Sequence, residues 1–355
     1  MNNQAPSRLK NVFFKVVLPL IVLSPIFGYF TFGLVETGAF RPISPRFDGT
    51  CKEAGPIKGA EDIERLGSGL LIAAADNRPE RPGDKTESGA LYKLGADGSG
   101  LARITDELPF EFHPHGLGVY ESGGTAWLWA INHRSTGSTI EKFRFDGSVA
   151  AHVKTYQDPL IANANDVAAV DEERFYFTRD HESTTHWQKR MSDYVRYGTG
   201  MIVSFDGSSF KARFKGLAFA NGILVTGGGK RVLAAEMLRQ RVWILDVLDN
   251  GELKPATALK LPSSPDNLSF DDEGNIWVGA HPNLLALRKH ALSHTAPGPS
   301  EVLKIANWES GRPEFTSVFM DDGTRISGVS VAQKSGKNLV LGTIYDDVIL
   351  VCTMN

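Results

Sequence analysis

The sequence predicts an all-β protein, a β-propeller preceded by a transmembrane helix, and three observations carry that reading. Segments such as Gly89–Leu94, Ala126–Ile131, Arg174–Thr178, Met201–Phe205, Arg241–Val247, Asn275–Gly279 and Asn338–Thr343 are rich in β-branched and aromatic residues, the signature of strands. Turn pairs recur as Asp97-Gly98, Asp146-Gly147, Asp206-Gly207, Asn250-Gly251 and Asp322-Gly323, strong local signals for tight hairpins. They are spaced by about fifty residues at first and irregularly later, as in four-stranded blades with variable loops. The third observation is an uncharged apolar run between Lys15 and Glu36, long enough to cross a bilayer as a helix.

The strand elements set the domain plan. The 355 residues, 42% hydrophobic, can bury a full core, and the 36 glycines suit a turn-rich β protein. A ring of blades closes naturally by pairing an N-terminal strand with C-terminal ones. The expected organisation is a short cytoplasmic N-terminus over 1–15, a membrane anchor over 16–35, a linker over 36–50 and the propeller over 51–355. Arg8, Lys10 and Lys15 precede the apolar run, which places the N-terminus in the cytoplasm and the propeller on the extracytoplasmic side, although Arg41 and Arg46 weaken the asymmetry. Pro19 and Pro25 are tolerated in a membrane helix. Secretion after signal cleavage is the alternative, against which stand the length of the run and the lack of a clear small-x-small cleavage site.

Charge and cysteine content narrow the partners. A net charge of -3 without a basic stripe excludes a nucleic-acid binder. The two cysteines, Cys51 and Cys352, fit an exported domain whose first and last strands are joined by a disulfide, or else two unrelated buried thiols.

Candidate chemistry lies in clusters that pair a carboxylate with an amide or a second carboxylate: Glu61-Asp62, Asn165-Asp166, Asn221-Gly222 and Asp266-Asn267. Their oxygens suit calcium, which takes about six to eight hard ligands in loose geometry. Only a closed circular fold brings positions so far apart to one point. The segment 180–199 interrupts the strand pattern with Trp187, Met191, Tyr194 and Val195 at helical spacing. It reads as an amphipathic insert, a lid, a membrane-lying surface or a helix packed on the propeller. Other chemistries lack support. The sequence has no Gly-x-Ser-x-Gly elbow and no G-x-G-x-x-G fingerprint. His181 and His186 are spaced at i and i+5 and share no helix face for zinc.

The pieces Gly59-Ala-Glu-Asp-Ile-Glu, His113-Pro-His-Gly, Ile131-Asn-His, Asn163-Ala-Asn-Asp-Val, Phe219-Ala-Asn-Gly-Ile, Asp266-Asn-Leu-Ser, Trp277-Val-Gly-Ala-His-Pro-Asn and Leu341-Gly-Thr-Ile resemble, in the same order, those of the serum paraoxonase/arylesterase family. The resemblance spans Cys51 to Cys352 and implies a six-bladed propeller with calcium-dependent lactonase and arylesterase activity. It implies two calcium ions. The catalytic one would sit on Glu61, Asn165, Asn221, Asp266 and Asn267, and the structural one on Asp62, Asp166 and the carbonyl of Leu117. It further implies a histidine dyad in which His115 activates water and His133 tunes or relays the proton, with calcium polarising the carbonyl. His281 matches a pocket histidine, and His113 has no assigned role. One departure is Ala280, where family members often carry a free cysteine, so a thiol nucleophile is excluded there. The substrate would be a small lactone or ester. The alternative is a membrane-anchored propeller that binds a partner, with calcium purely structural.

Overall fold

In the computed structural model, which describes residues 11–79 and 87–355, six antiparallel sheets are arranged as a ring. The first four blades are each built from four sequential strands; their innermost strands are Ala60–Arg65, Pro114–Ser122, Ala164–Ala169 and Ala220–Thr226. The fifth starts at Ser264–Phe270 and gains Arg46–Phe47 as an additional edge strand, while the sixth starts at Val329–Ser335. The sixth blade closes the ring, because its outer strand is Gly49–Gly55 from the other end of the propeller, antiparallel to Ile349–Met354. Cys51 lies opposite Cys352 in that pair and is bonded to it, at a sequence separation of 301. The chain therefore joins the propeller from Arg46, inside the expected linker.

Blades adhere through apolar wedges. Each of the six interfaces holds one core cluster, for example Leu91, Phe112, Leu128 and Phe143 between the first two blades. Between the sixth and first, Ile63, Leu71, Val331 and Val351 do the same. Alternation explains the register: in Thr125–Arg134 Ala126 and Leu128 are buried while Trp127 is only half so, as a pleated strand with two unequal faces requires. Every buried Leu, Ile or Phe of this kind contributes about 1.5–3 kcal/mol, and no wedge is complete without both neighbours.

Four of the five expected turn pairs join the third strand of a blade to the fourth. Gly98, Gly147, Gly207 and Gly251 have φ of 82°, 94°, 95° and 78°, where a side chain is unfavourable, and the preceding Asp or Asn oxygen accepts a backbone N–H two residues on. Asp322-Gly323 instead follows the last strand of the fifth blade and links it to the sixth, so it is no hairpin.

The apolar run forms one turn of π-helix, Phe13–Val17, leading into the α-helix Leu18–Glu36. None of its most apolar window is buried; Arg8 and Lys10 fall outside the described residues. Its C-terminal end docks on the propeller. The Glu36 carboxylate pairs with Lys260 at 2.7 Å and Arg196 at 3.2 Å, and the Thr37 carbonyl accepts the Leu284 N–H at 2.9 Å.

Because the disulfide closes nearly the whole domain into one loop, reduction should destabilise the propeller by about 2–5 kcal/mol. Urea unfolding of the protein with and without a reductant, or of Cys51→Ser with Cys352→Ser, measures it; an unchanged midpoint would remove the latch from this account.

Candidate functional site at the propeller axis

All six innermost strands break register where they reach the axis. The pairing shifts between Ala60 and Asp62, Pro114 and Leu117, Ala164 and Val167, Ala220 and Ile223, Pro265 and Leu268, and Val329 and Val331. A bulge sets two residues against one and re-aims side chains that strict alternation would send to opposite faces. Glu61, His115, Asn165, Asn221, Asp266 and Asn267 all lie within these bulges, and the structure brings them together. Gly116 and Gly222 make the approach possible. A Cβ on Gly116 would stand 2.3 Å from the Asp166 Cα, and one on Gly222 2.6 Å from the Asp266 carbonyl oxygen.

Asp62 and Asp166 tie blades together. Asp62 accepts the Leu117 N–H at 2.7 Å and its neighbour Ile63 N–H at 2.9 Å. Asp166 accepts those of Ile223 and Val167, both at 2.7 Å. On the remaining side, Asn267 Nδ2 donates to the carbonyl oxygen of Glu61 at 3.1 Å and to its Oε1 at 3.0 Å.

What these bonds leave over is informative. Glu61 Oε2 and the Oδ1 atoms of Asn165, Asn221 and Asn267 are buried without a hydrogen-bond partner. Four orphaned oxygens from four blades, in a protein where buried polar atoms are nearly always paired, fit a hard cation. Among the described residues no three His, Cys, Asp or Glu side chains gather as a metal centre; the set is rich in amides and limited to the carboxylates Glu61 and Asp266. Burial pushes the Glu61 carboxyl up to about 7, opposed by Arg78 and reinforced by Asp266. Asp62, Asp166 and the neighbouring Glu64 are raised by burial and then by the other acids.

The two histidines of the expected dyad are neighbours in space. His115 and His133 stand with ring centroids 5.2 Å apart. An Arg78 Nη2 lies 2.9 Å from His115 Nδ1, and the amide nitrogen of Asn165 lies 3.4 Å from Nε2. Guanidinium only donates, and a neutral imidazole offers one acceptor nitrogen, so the shorter cationic contact claims Nδ1 and leaves the proton on Nε2, in which tautomer the 3.4 Å approach of the Asn165 amide nitrogen is not a hydrogen bond. Burial, then the Arg78 charge, then His133, hold the His115 pKa well below the imidazole range. His133, its Nδ1 3.0 Å from Ser138 Oγ, is pushed down to about 4, first by burial. Its ring edge stays open to solvent, which tempers that depression. His113 is paired with Asp76 at 2.9 Å. His281 corrects its expected place: it is fully buried and absent from the cavity wall, and its Nε2 stands 2.7 Å behind Asp266 Oδ2, fixing that carboxylate.

Above the axis opens a cavity of about 370 Å³, of ligand-binding size. Glu61, His115, Asn165, Asn221 and Asp266 reach its floor, and Met237, Leu238, Leu284, Leu285 and Leu287 line its walls. Two helices frame it. His186–Tyr194 is the expected insert, shorter than 180–199, and Trp187, Met191, Tyr194, Val195 and Tyr197 on and after it are exposed, so its apolar face is not packed on the propeller. Buried His181 pins it through Asp193 at 2.7 Å and is raised to about 9 by its two carboxylates, Asp180 and Asp193, against the opposing cost of burial. The second helix, Leu284–Leu292, escapes a strand-based reading, although Asn283 before an apolar run is an N-cap signal; its Oδ1 accepts the Ala286 N–H at 3.0 Å. Arg78, from a loop, has no sequence signal at all.

The arylesterase family model matches residues 100–354. The chain belongs to the arylesterase family. Mouse serum paraoxonase/arylesterase 1 is 31% identical over 86% of this chain and 90% of its own, and rat serum paraoxonase/arylesterase 2 is 31% identical over 81% and 84%. Among solved structures, a luciferin-regenerating enzyme superposes with a TM-score of 0.54 at 14% identity, covering 86% of this chain and 95% of that one; the likeness supports the six-bladed fold of this arylesterase-family chain.

The axial acids give a signed pH dependence. Folded Glu61 keeps its proton up to about pH 7, while unfolded it releases it near 4.5, so the metal-free folded state binds more protons between those values and loses stability as pH rises through them. Urea midpoints in EDTA should fall across that window and fall less steeply in Glu61→Gln, in which the raised Asp62, Glu64 and Asp166 still titrate; a rising midpoint would contradict the assignment.

Proposed function

We propose that the protein is a calcium-dependent hydrolase of lactones and aryl esters, anchored to a membrane by its N-terminal helix. The observation that carries this is the set of four unpartnered oxygens beneath the cavity, together with membership of an ester-hydrolysing family. Glu61, Asn165, Asn221, Asp266 and Asn267 would hold the ion that does chemistry. Its carboxylates, two among five ligands, balance the divalent charge. Asp62, Asp166 and the Leu117 carbonyl would hold a second, structural ion. When bound, calcium supplies a Lewis acid that polarises the ester carbonyl.

The chain's own residues do the rest. His115 presents Nε2–H to the cavity floor, where it orients the attacking water or the carbonyl oxygen. His133, its ring centroid 5.2 Å from that of His115 but itself outside the cavity lining, would accept the proton through an intervening water, in place of the division in which His115 is the base. His281 locks the Asp266 carboxylate. The leucine walls exclude bulk water and accept an apolar acyl or aryl group.

Purified full-length protein assayed on a lactone panel and phenyl acetate should lose at least about a hundredfold in kcat/KM on chelation or in Asp266→Ala, and in His115→Gln by a smaller factor of about ten or more. Hydrolysis indifferent to both chelation and Asp266→Ala would sink the site. Calcium should also raise Tm by several degrees, because it binds only the folded state.

With a neutral His133 as proton acceptor, kcat/KM should rise with pH through a limb below the ordinary imidazole value of 6.5 and toward 4, then stay level. A limb near 6.5 that persists in His133→Gln would assign the base elsewhere.

A further inference from the structure

The cavity mouth carries a charge pattern that ester hydrolysis alone does not need. Arg190, on helix His186–Tyr194, and Arg288, on helix Leu284–Leu292, come from different blades and meet at one hydroxyl. Arg288 Nη1 lies 2.9 Å and Arg190 Nη2 3.4 Å from Tyr194 Oη, and the Arg288 guanidinium is 5.4 Å from the centre of the same ring. All three residues line the cavity. Among the described residues no carboxylate pairs with either arginine. Asp193, the acid nearest in the same lining, is already bonded to His181 at 2.7 Å.

Two guanidinium groups converging on a neutral phenol repel one another, and at these exposed positions only solvent screens them. Their hydrogen bonds and charge hold the Tyr194 hydroxyl below its ordinary pKa, which shows the local field. Planar forks that share one phenol oxygen and have no carboxylate partner among the described residues, exposed at the edge of a ligand cavity, are suited to a carboxylate. From mouth to floor the lining runs cationic, then apolar at Leu285, Leu287 and Leu238, then oxygen-rich at Glu61 and Asp266. A matching ligand has an ester carbonyl at one end, a short apolar chain and an anion at the other.

We propose that Arg190 and Arg288, gathered round Tyr194 Oη, form an anion subsite that selects lactone or ester substrates whose acyl chain ends in a carboxylate. The subsite deepens the hydrolase reading above and rests on it for the identity of the bond cleaved.

The test compares a δ-lactone bearing an ω-carboxyalkyl side chain with its uncharged ω-carboxamide, using full-length protein in a neutral detergent. The ratio of kcat/KM for carboxylate over carboxamide should exceed one, shrink with added salt, and fall about tenfold or more in the Arg190→Gln/Arg288→Gln double variant. A ratio unchanged in the double variant overturns the proposal. So does an unchanged ratio accompanied by release of the variant from anionic vesicles, because the arginines then serve a lipid surface. If the unaltered protein hydrolyses neither lactone nor phenyl acetate, the hydrolase reading fails on its own. The subsite is then read by calorimetric binding of octanoate in EDTA: weakening in the double variant supports it, and equal binding overturns it.

Discussion

Acid crowding at the ring axis is the constraint on which the rest of the structure depends. Glu61, Asp62, Asp166 and Asp266 are each no more than 3% exposed, and a carboxylate taken out of water is costly unless it is bonded or paired. The fold meets this in two ways. Asp62 and Asp166 are satisfied by backbone N–H groups of their own and the next blade, so acidity is turned into blade-to-blade attachment. Glu61 is satisfied only in part, and its free oxygen joins three orphaned amide oxygens. A cation at that point would complete the arrangement, because it would remove both the repulsion among the acids and the desolvation of the amides.

The bulges, the glycines and the ring closure follow from the same requirement. Without a register shift on each innermost strand, adjacent residues such as Asp266 and Asn267 would point to opposite faces. With it, both are available near the axis. Gly116 and Gly222 let neighbouring strands approach to distances that a side chain would forbid. Convergence also demands that the ring not open, which is the mechanical reason for a strand borrowed from the N-terminus and a disulfide across the seam. The apolar helix is coupled to the same frame through Glu36 and Thr37, so this helix and the cavity mouth, which Thr37 also lines, lie on one side of the molecule.

Much of this was legible in the residues, for local reasons. Strand composition and Asp-Gly or Asn-Gly pairs act within a few residues, so the segments around Trp127, Val203 and Trp243 and four of the five turns read correctly. Asp322-Gly323 misled because the same turn chemistry serves an inter-blade link as well as a hairpin. The oxygen-rich pairs announced themselves by residue type. Arg78 did not, because its significance comes from acceptors at Gly59, Pro114, His115 and Ile344, and no local pattern encodes a contact with three segments so far apart in the chain. The role of His281 was displaced for a similar reason: its neighbour Asp266 comes from the adjacent strand, and burial rather than identity sets what it can touch.

By itself the sequence determined the strand and turn chemistry, the apolar N-terminal run, the possibility of a terminal cystine and the supply of hard oxygen ligands, since each is a property of a residue and its immediate neighbours. Tertiary structure decided which oxygens lack partners, which nitrogen of His115 meets Arg78, and that Arg190 and Arg288 meet at Tyr194. Those are distances between residues that only ring closure and the axial bulges bring together, and charge, protonation and hydrogen bonding depend on distance.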